Sequence, residues 1–184
     1  MERSGGTKDN PVGRVVFFDE IGDYLLNNFT HALRPKESVN PVYLFYALYN
    51  SYNINKAAMR AMASQTTGIQ NLSMSDFMSK SIVLPSRDEQ NKFEQIYRQA
   101  DKSKFGDFKS QFIEMFGNPL SLNQKNELKR LGECCILNPR RPNIALCDTD
   151  KVSFIPMPAV SEDGYLVDMT DEEYGKVKKA LHIL

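Results

Sequence analysis

The sequence predicts a mixed α/β fold: strands and helices up to about residue 85, a long helix over 86–118, and a second strand-bearing segment over 119–184. Three observations carry this. β-branched and aromatic runs alternate with stretches whose apolar residues step by three and four. From Ser86 to Phe116 there is no proline and a single glycine, Gly106. Gly117-Asn118-Pro119 then stops the helical pattern, and a different one restarts beyond it.

In chain order, Arg14-Val15-Val16-Phe17-Phe18 reads as a strand, and Tyr24-Leu25-Leu26 as a short one ending at Asn27-Asn28. Asn40-Pro41 opens a helix, with Asn as cap and Pro in the first turn. Its residues Leu44, Phe45, Leu48, Tyr49 and Tyr52 fall on one face. A second short helix carries Ala57, Ala58, Ala61 and Met62. Thr66-Thr67-Gly68 breaks the pattern, and a polar loop runs to Asn71. Ser73-x-x-Asp76 caps one further turn. Ser81-Ile82-Val83-Leu84 reads as a buried strand stopped by Pro85.

The middle stretch is the clearest element. Ser86-x-x-Glu89 is a capping box, with Asp88 adding negative charge in the first turn. Phe93, Tyr97, Phe108, Phe112 and Phe116 make an aromatic stripe, with a slip in the spacing near Lys104. As one helix these 31 residues would extend about 46 Å. So long an apolar stripe predicts coiled-coil packing against a second long helix, within the protein or across a homodimer. Burial within the chain's own core is the plainer alternative.

Beyond it, Leu128 to Glu133 is a short lead-in, and Pro139-Arg140-Arg141-Pro142 an extended linker or turn. Val152-Ser153-Phe154-Ile155-Pro156-Met157 reads as a strand, placed at a sheet edge by its proline. Glu162-Asp163-Gly164-Tyr165 is a hairpin-type turn. Asp171 to Leu181 reads as a helix, acidic at its start and lysine-rich at its end.

Composition narrows the function. Lys+Arg and Asp+Glu are both 23, so a chain dominated by a basic tail is excluded, though a local basic face is not. No apolar run approaches the roughly 20 residues of a membrane helix, and the first residues lack the apolar core of a signal peptide. Cys134, Cys135 and Cys147 are odd in number, with two adjacent, which suits structural thiols in a reducing compartment. The two histidines, His31 and His182, stand far from each other and from the cysteines, so no zinc site is expected. Asp19, Glu20 and Asp23 cluster, but the lysine that usually completes a nuclease site is absent nearby. Nothing beside Cys134-Cys135 supplies an orienting base for thiol chemistry. No metal and no catalytic residue is assigned.

Three stretches in this order, Thr66-Thr67-Gly68-Ile69-Gln70-Asn71-Leu72, Ile82-Val83-Leu84-Pro85 and Glu89-Gln90, resemble the end of a target recognition domain and the start of its conserved helix. That pattern belongs to the specificity (S) subunit of type I restriction-modification systems. Asn28 to Pro35 resembles the strand preceding it. Leu131-Gly132-Glu133, Val152 to Met157 and Glu162-Asp163-Gly164 resemble the opening of the next recognition domain. The resemblance implies a non-catalytic, prokaryotic and cytoplasmic subunit. It would bind double-stranded DNA sequence-specifically and scaffold the modification (methyltransferase) and restriction subunits. S-adenosylmethionine, ATP and Mg would belong to those partners, and no membrane is involved.

A full subunit of that kind has two recognition domains and two long helices. Here the resemblance implies the back part of one domain (1–85), one spacer or dimerisation helix (86–118) and the front part of a following domain (119–184). The chain is then truncated, recombined or a cloned fragment, or it is a permuted half in which residues 126–184 pair with 1–85 of the same or a second chain. A rival class is a non-DNA-binding interaction or oligomerisation module that uses only the long helix.

Candidate DNA contacts follow from the side chains that touch phosphates and base edges. Thr66, Thr67, Gly68, Gln70 and Asn71 supply hydroxyls, amides and a flexible glycine, with Lys56 and Arg60 upstream on a helix. The bland alternative is a Gly-dependent turn that packs Ile69 inward. Because the resemblance is strongest at this loop, a structural or phosphate-positioning role is expected rather than base reading. Arg34 and Lys36 flank Pro35 in a loop, and Arg140 and Arg141 are the basic pair of the last segment.

Overall fold

The structure, a computed structural model, describes residues 1–20, 24–66, 68–99, 105–121, 126–139, 145–167 and 169–183, with the backbone alone for 65, 66, 105–109 and 180–183. The first part of the chain runs β1 (Ser4–Gly5), β2 (Tyr24–Asn27), β3 (Leu33–Pro35), α1 (Pro41–Ile54), α2 (Lys56–Ala61), β4 (Ala63–Thr66), β5 (Ile69–Leu72), α3 (Met74–Ser79) and β6 (Ser81–Leu84). Two helices follow, α4 (Arg87–Gln99) and α5 (Phe105–Phe116). The last part runs β7 (Glu127–Arg130), α6 (Leu131–Cys134), β8 (Cys135–Leu137), β9 (Lys151–Ile155), β10 (Thr170–Glu173), α7 (Tyr174–Val177) and β11 (Leu181–Ile183).

α1 is the centre of the molecule. Asn40 caps it as expected, its Oδ1 accepting from the N–H groups of Val42 (2.9 Å) and Tyr43 (3.2 Å). Every residue from Val42 to Leu48 is buried, so this part of the helix is enclosed on all sides rather than on one face. Gln90 joins α4 to it. Its Oε1 accepts from the Asn40 N–H (2.8 Å), and its Nε2 donates to the Pro85 carbonyl (2.8 Å). Asn40 Nδ2 also donates to Glu94 Oε2 (2.6 Å). Burial by itself would raise the Glu94 carboxyl pKa, but the bonds from Asn40 and Arg98 hold it below its ordinary value.

The single long helix is not what forms. The Phe93 ring lies 5.3 Å from Phe112 and 5.6 Å from Phe116. In one continuous helix Phe93 and Phe112 would stand about 28 Å apart. The stretch is therefore two helices, and α5 turns back against α4. Both also pack on α1: Phe93 and Tyr97 meet Tyr46 at 5.3 and 5.9 Å, and Phe112 and Phe116 meet Tyr43 at 5.4 and 5.0 Å. Phe93, Tyr97, Phe112 and Phe116 are all buried in one cluster, so the aromatic stripe closes the chain's own core instead of a coiled coil or a homodimer. The side chain of Phe108 lies outside the described residues.

Among the described residues, four sheets frame this helical core. They are β1-β5-β4, β10-β9-β2-β11, β3-β8 and β6-β7. All pairs are antiparallel except β2 with β9, which run parallel with Leu25 opposite Phe154. In three of the four sheets, strands from residues 127–183 pair with strands from residues 24–84 of the same chain. Several local expectations give way to this pairing. Residues 14–18 join no ladder among the described residues; instead the Glu2 N–H donates to the Arg14 carbonyl and the Phe17 N–H to the Gly164 carbonyl. β9 is an inner strand, and Pro156 lies just past its end. Asp171 to Glu173 belong to β10 rather than a helix, because their backbone completes a ladder with β9.

Two outcomes are expected. Phe112→Asp places a charge among Tyr43, Tyr46 and Phe93 and should abolish cooperative unfolding of the whole chain, seen as lost near-ultraviolet dichroism. Dissociation of a dimer into folded monomers would contradict this. Gln90→Leu keeps the volume but strands the Asn40 N–H and the Pro85 carbonyl, and should cost about 1–3 kcal/mol in urea unfolding.

Candidate nucleic-acid interface

The polar stretch 63–72 is a hairpin, not a loop. Ser64 pairs with Asn71 and Thr66 with Ile69, leaving a two-residue turn. Gly68 in that turn has φ +85°, with open space where a Cβ would stand, so glycine is favoured there by backbone conformation alone. Strand alternation then divides the side chains of β5. Gln70 and Leu72 are buried, Asn71 is half-buried, and Ile69 is 46% exposed. Ser64, opposite Asn71, is exposed as well. Ile69 thus faces solvent instead of packing inward.

Gln70 faces the protein and has a structural task. Its Nε2 donates to the Thr7 carbonyl (3.0 Å), and its Oε1 accepts from the Val12 N–H (3.1 Å). These bonds pin the loop of residues 6–12 against β5. The loop is tight: Thr7 N donates to Asn10 O at 2.6 Å, and Gly6 has φ +69°. A Cβ at Gly6 would stand 2.5 Å from the Val12 nitrogen, so no side chain fits there. Asn71 Oδ1 accepts from the hydroxyl of Ser4, which is buried (2.7 Å).

α2 brings two predicted cations to the same loop. Lys56 Nζ donates to Asn10 Oδ1 (2.6 Å) and stands 5.7 Å over the Tyr52 ring. The Arg60 guanidinium donates to the Lys8 carbonyl. Both Arg60 and Lys8 are exposed. The sequence reading missed Lys8, although it directly follows Gly5-Gly6-Thr7, where close backbone packing was foreseeable. Glu162 answers part of this charge, accepting from Asn10 Nδ2 (2.6 Å) and standing 3.8 Å from Arg14. Arg14 is itself held by Glu2, which is fully buried. The hydrogen bond to Glu2 raises the Arg14 pKa above its ordinary value, so the guanidinium stays charged.

The predicted contacts therefore separate. Lys56, Arg60, Gln70 and Asn71 come together around residues 4–12, while Gly68 stands apart in the hairpin turn. Arg34 and Lys36 sit instead at the β3–β8 sheet, where Arg34 is opposite Ile136 and Lys36 Nζ donates to the Gly132 carbonyl (2.9 Å). Thr67, Arg140, Arg141 and the Thr66 side chain lie outside the described residues. Cys134 and Cys135 are buried, and burial pushes the Cys135 thiol up to about 12. Among the described residues no group of His, Cys, Asp or Glu could hold a metal ion, and no helix is long and apolar enough to cross a membrane.

Comparison with curated proteins and with solved structures returns no match. The family model of the type I restriction modification DNA specificity domain matches residues 6–105, a span that opens at the glycine-bearing loop and contains α1, the β4–β5 hairpin and α4. With more than half of its length matched, the chain belongs to the type I restriction modification DNA specificity domain family.

Proposed function

We propose that this chain reads a DNA sequence for a type I restriction-modification complex, contacting duplex DNA through the β4–β5 hairpin and the cations Lys8, Lys56 and Arg60. Family membership carries the reading, and the grouping of these cations around one pinned loop supports it. Phosphates are contacted by Lys, Arg, small hydroxyls and backbone N–H groups, all of which this surface offers. Catalysis, with its S-adenosylmethionine, ATP and Mg, belongs to the methyltransferase and restriction subunits that this chain would help to scaffold in a prokaryotic cytoplasm.

The three shared sheets support one further point. The segments 1–85 and 126–183 act as the complementary pieces of a single reader, in permuted order, rather than as two separate partial readers. A role limited to oligomerisation through the middle helices is disfavoured, because their aromatic stripe is enclosed within the chain.

The test is duplex binding by the full chain, followed by fluorescence anisotropy across a salt series. Lys8→Ala and Arg60→Ala should each reduce the slope of log affinity against log salt by about 1. Both residues are exposed, so the unfolding midpoint should barely move. Binding that ignores salt and both substitutions would refute this interface.

A further inference from the structure

The carboxylate of Glu162 stands among donors that suit an anion. We infer that Asn10, Arg14 and Lys56 form a site for one phosphate of the DNA backbone, and that Glu162 fills it until the phosphate displaces it. This rests on the DNA-reading function proposed above and adds to it a phosphate position with a built-in competitor.

The donors are held in place by partners behind them. Glu2 is fully buried and grips one edge of the Arg14 guanidinium, accepting from Nε at 3.0 Å and from Nη2 at 2.8 Å. That leaves Nη1 on the side of Glu162, 3.8 Å from its Oε1. Lys56 Nζ donates to Asn10 Oδ1 at 2.6 Å. The Asn10 amide is thereby oriented, with its Nδ2 group free to donate on the other side. That group donates to Glu162 Oε1 at 2.6 Å. Asn10 and Arg14 thus converge on one carboxylate oxygen, with the Lys56 ammonium one hydrogen bond behind. Amide, guanidinium and ammonium groups are the ones that contact phosphate oxygens. Asn10, Arg14 and Lys56 lie in the span that matches the specificity-domain family, whereas Glu162 lies outside it.

Glu162 is able to leave. Its side chain is 58% exposed, and so open an ion pair holds weakly. The turn that carries it keeps its shape without it. Ser161 Oγ accepts from the Tyr165 N–H (3.2 Å), the Ser161 N–H donates to the Tyr165 carbonyl (3.3 Å), and the Phe17 N–H donates to the Gly164 carbonyl (3.1 Å). Rotation of one side chain therefore opens the site, while Glu2 and Lys56 keep the donors where they are. The carboxylate released into solvent gathers counterions as the phosphate sheds them. In the wild-type chain this contact therefore adds little to the salt dependence of binding. The neighbouring Asp163 is also exposed, but the bonds of Asn10 and Arg14 go to Glu162 and Glu2.

The experiment is fluorescence anisotropy of the full chain with a mixed-sequence duplex across a salt series. Glu162→Gln keeps the size of the side chain and removes the competing charge. It should tighten binding at low salt by up to about fivefold, the worth of an exposed ion pair. It should also steepen the slope of log affinity against log salt by about 1. Asp163→Asn removes the same charge one residue away and should change both much less. Adding Asn10→Ala to Glu162→Gln should take back most of the gain, because one donor is gone. Thermal unfolding confirms that each variant is folded. Equal gains in Glu162→Gln and Asp163→Asn would mean a general relief of repulsion. That result, no gain in Glu162→Gln, or a gain that survives Asn10→Ala overturns the inference while leaving the DNA-reading function standing. If neither the wild-type chain nor Glu162→Gln retains duplex, the DNA-reading function itself falls, and this inference with it.

Discussion

The junction between Asn40 and Gln90 is what the rest of the structure depends on. Asn40 does three things at once: its side chain caps α1, its amide nitrogen reaches Glu94, and its backbone N–H is accepted by Gln90. Gln90 is nearly fully buried and bonded at both ends of its amide. A buried polar pair of this kind is costly when half-made, so it fixes one docking of α4 on α1 rather than a range. From that docking follow the positions of Phe93 and Tyr97, then of α5 through Phe112 and Phe116. Tyr43, one turn into α1, adds a bond from its hydroxyl to the Val83 carbonyl at 2.5 Å, which ties β6 to the same centre.

Local signals in the sequence were legible where one side chain decides a backbone group. The Asn40 cap, the Ser73 cap of α3 and the box between Ser86 and Glu89 all form. The Glu89-Gln90 pair, quoted as a family signature, has a physical meaning in this fold: Glu89 closes the capping box and Gln90 makes the junction. The aromatic stripe was also correctly seen to need a partner. Its spacing reads the same for one long helix as for two helices folded back. Only the contacts of the Phe93 ring with Phe112 and Phe116 decide between them.

The hairpin and the last strands were not legible for a different reason. Ser64, Gln65, Gln70 and Asn71 are not strong strand formers, and Asp171-Glu172-Glu173 resembles the acidic start of a helix. Their conformation is set by distant partners: β5 is flanked by β1 and β4, and β10 by β9. Strand preference depends mostly on such neighbours, which a single sequence does not display. The same applies to the site. Lys56 and Arg60 could be read from their helix, whereas the inward turn of Gln70 and the outward turn of Ile69 required the register.

The sharing of sheets between early and late segments has a consequence for biosynthesis. β2, β3 and β6 leave the ribosome long before β9, β8 and β7, the strands that pair with them. During that interval the nascent chain shows unpaired strand edges and the apolar side chains of Leu25 and Leu26, which later lie buried. Exposed edges of this kind are templates for pairing with other chains. Closing such distant contacts is also slow. A cell that makes this protein must therefore keep the growing chain apart from its neighbours until the last strands arrive, so its yield should depend on chaperone capacity and on the rate of translation.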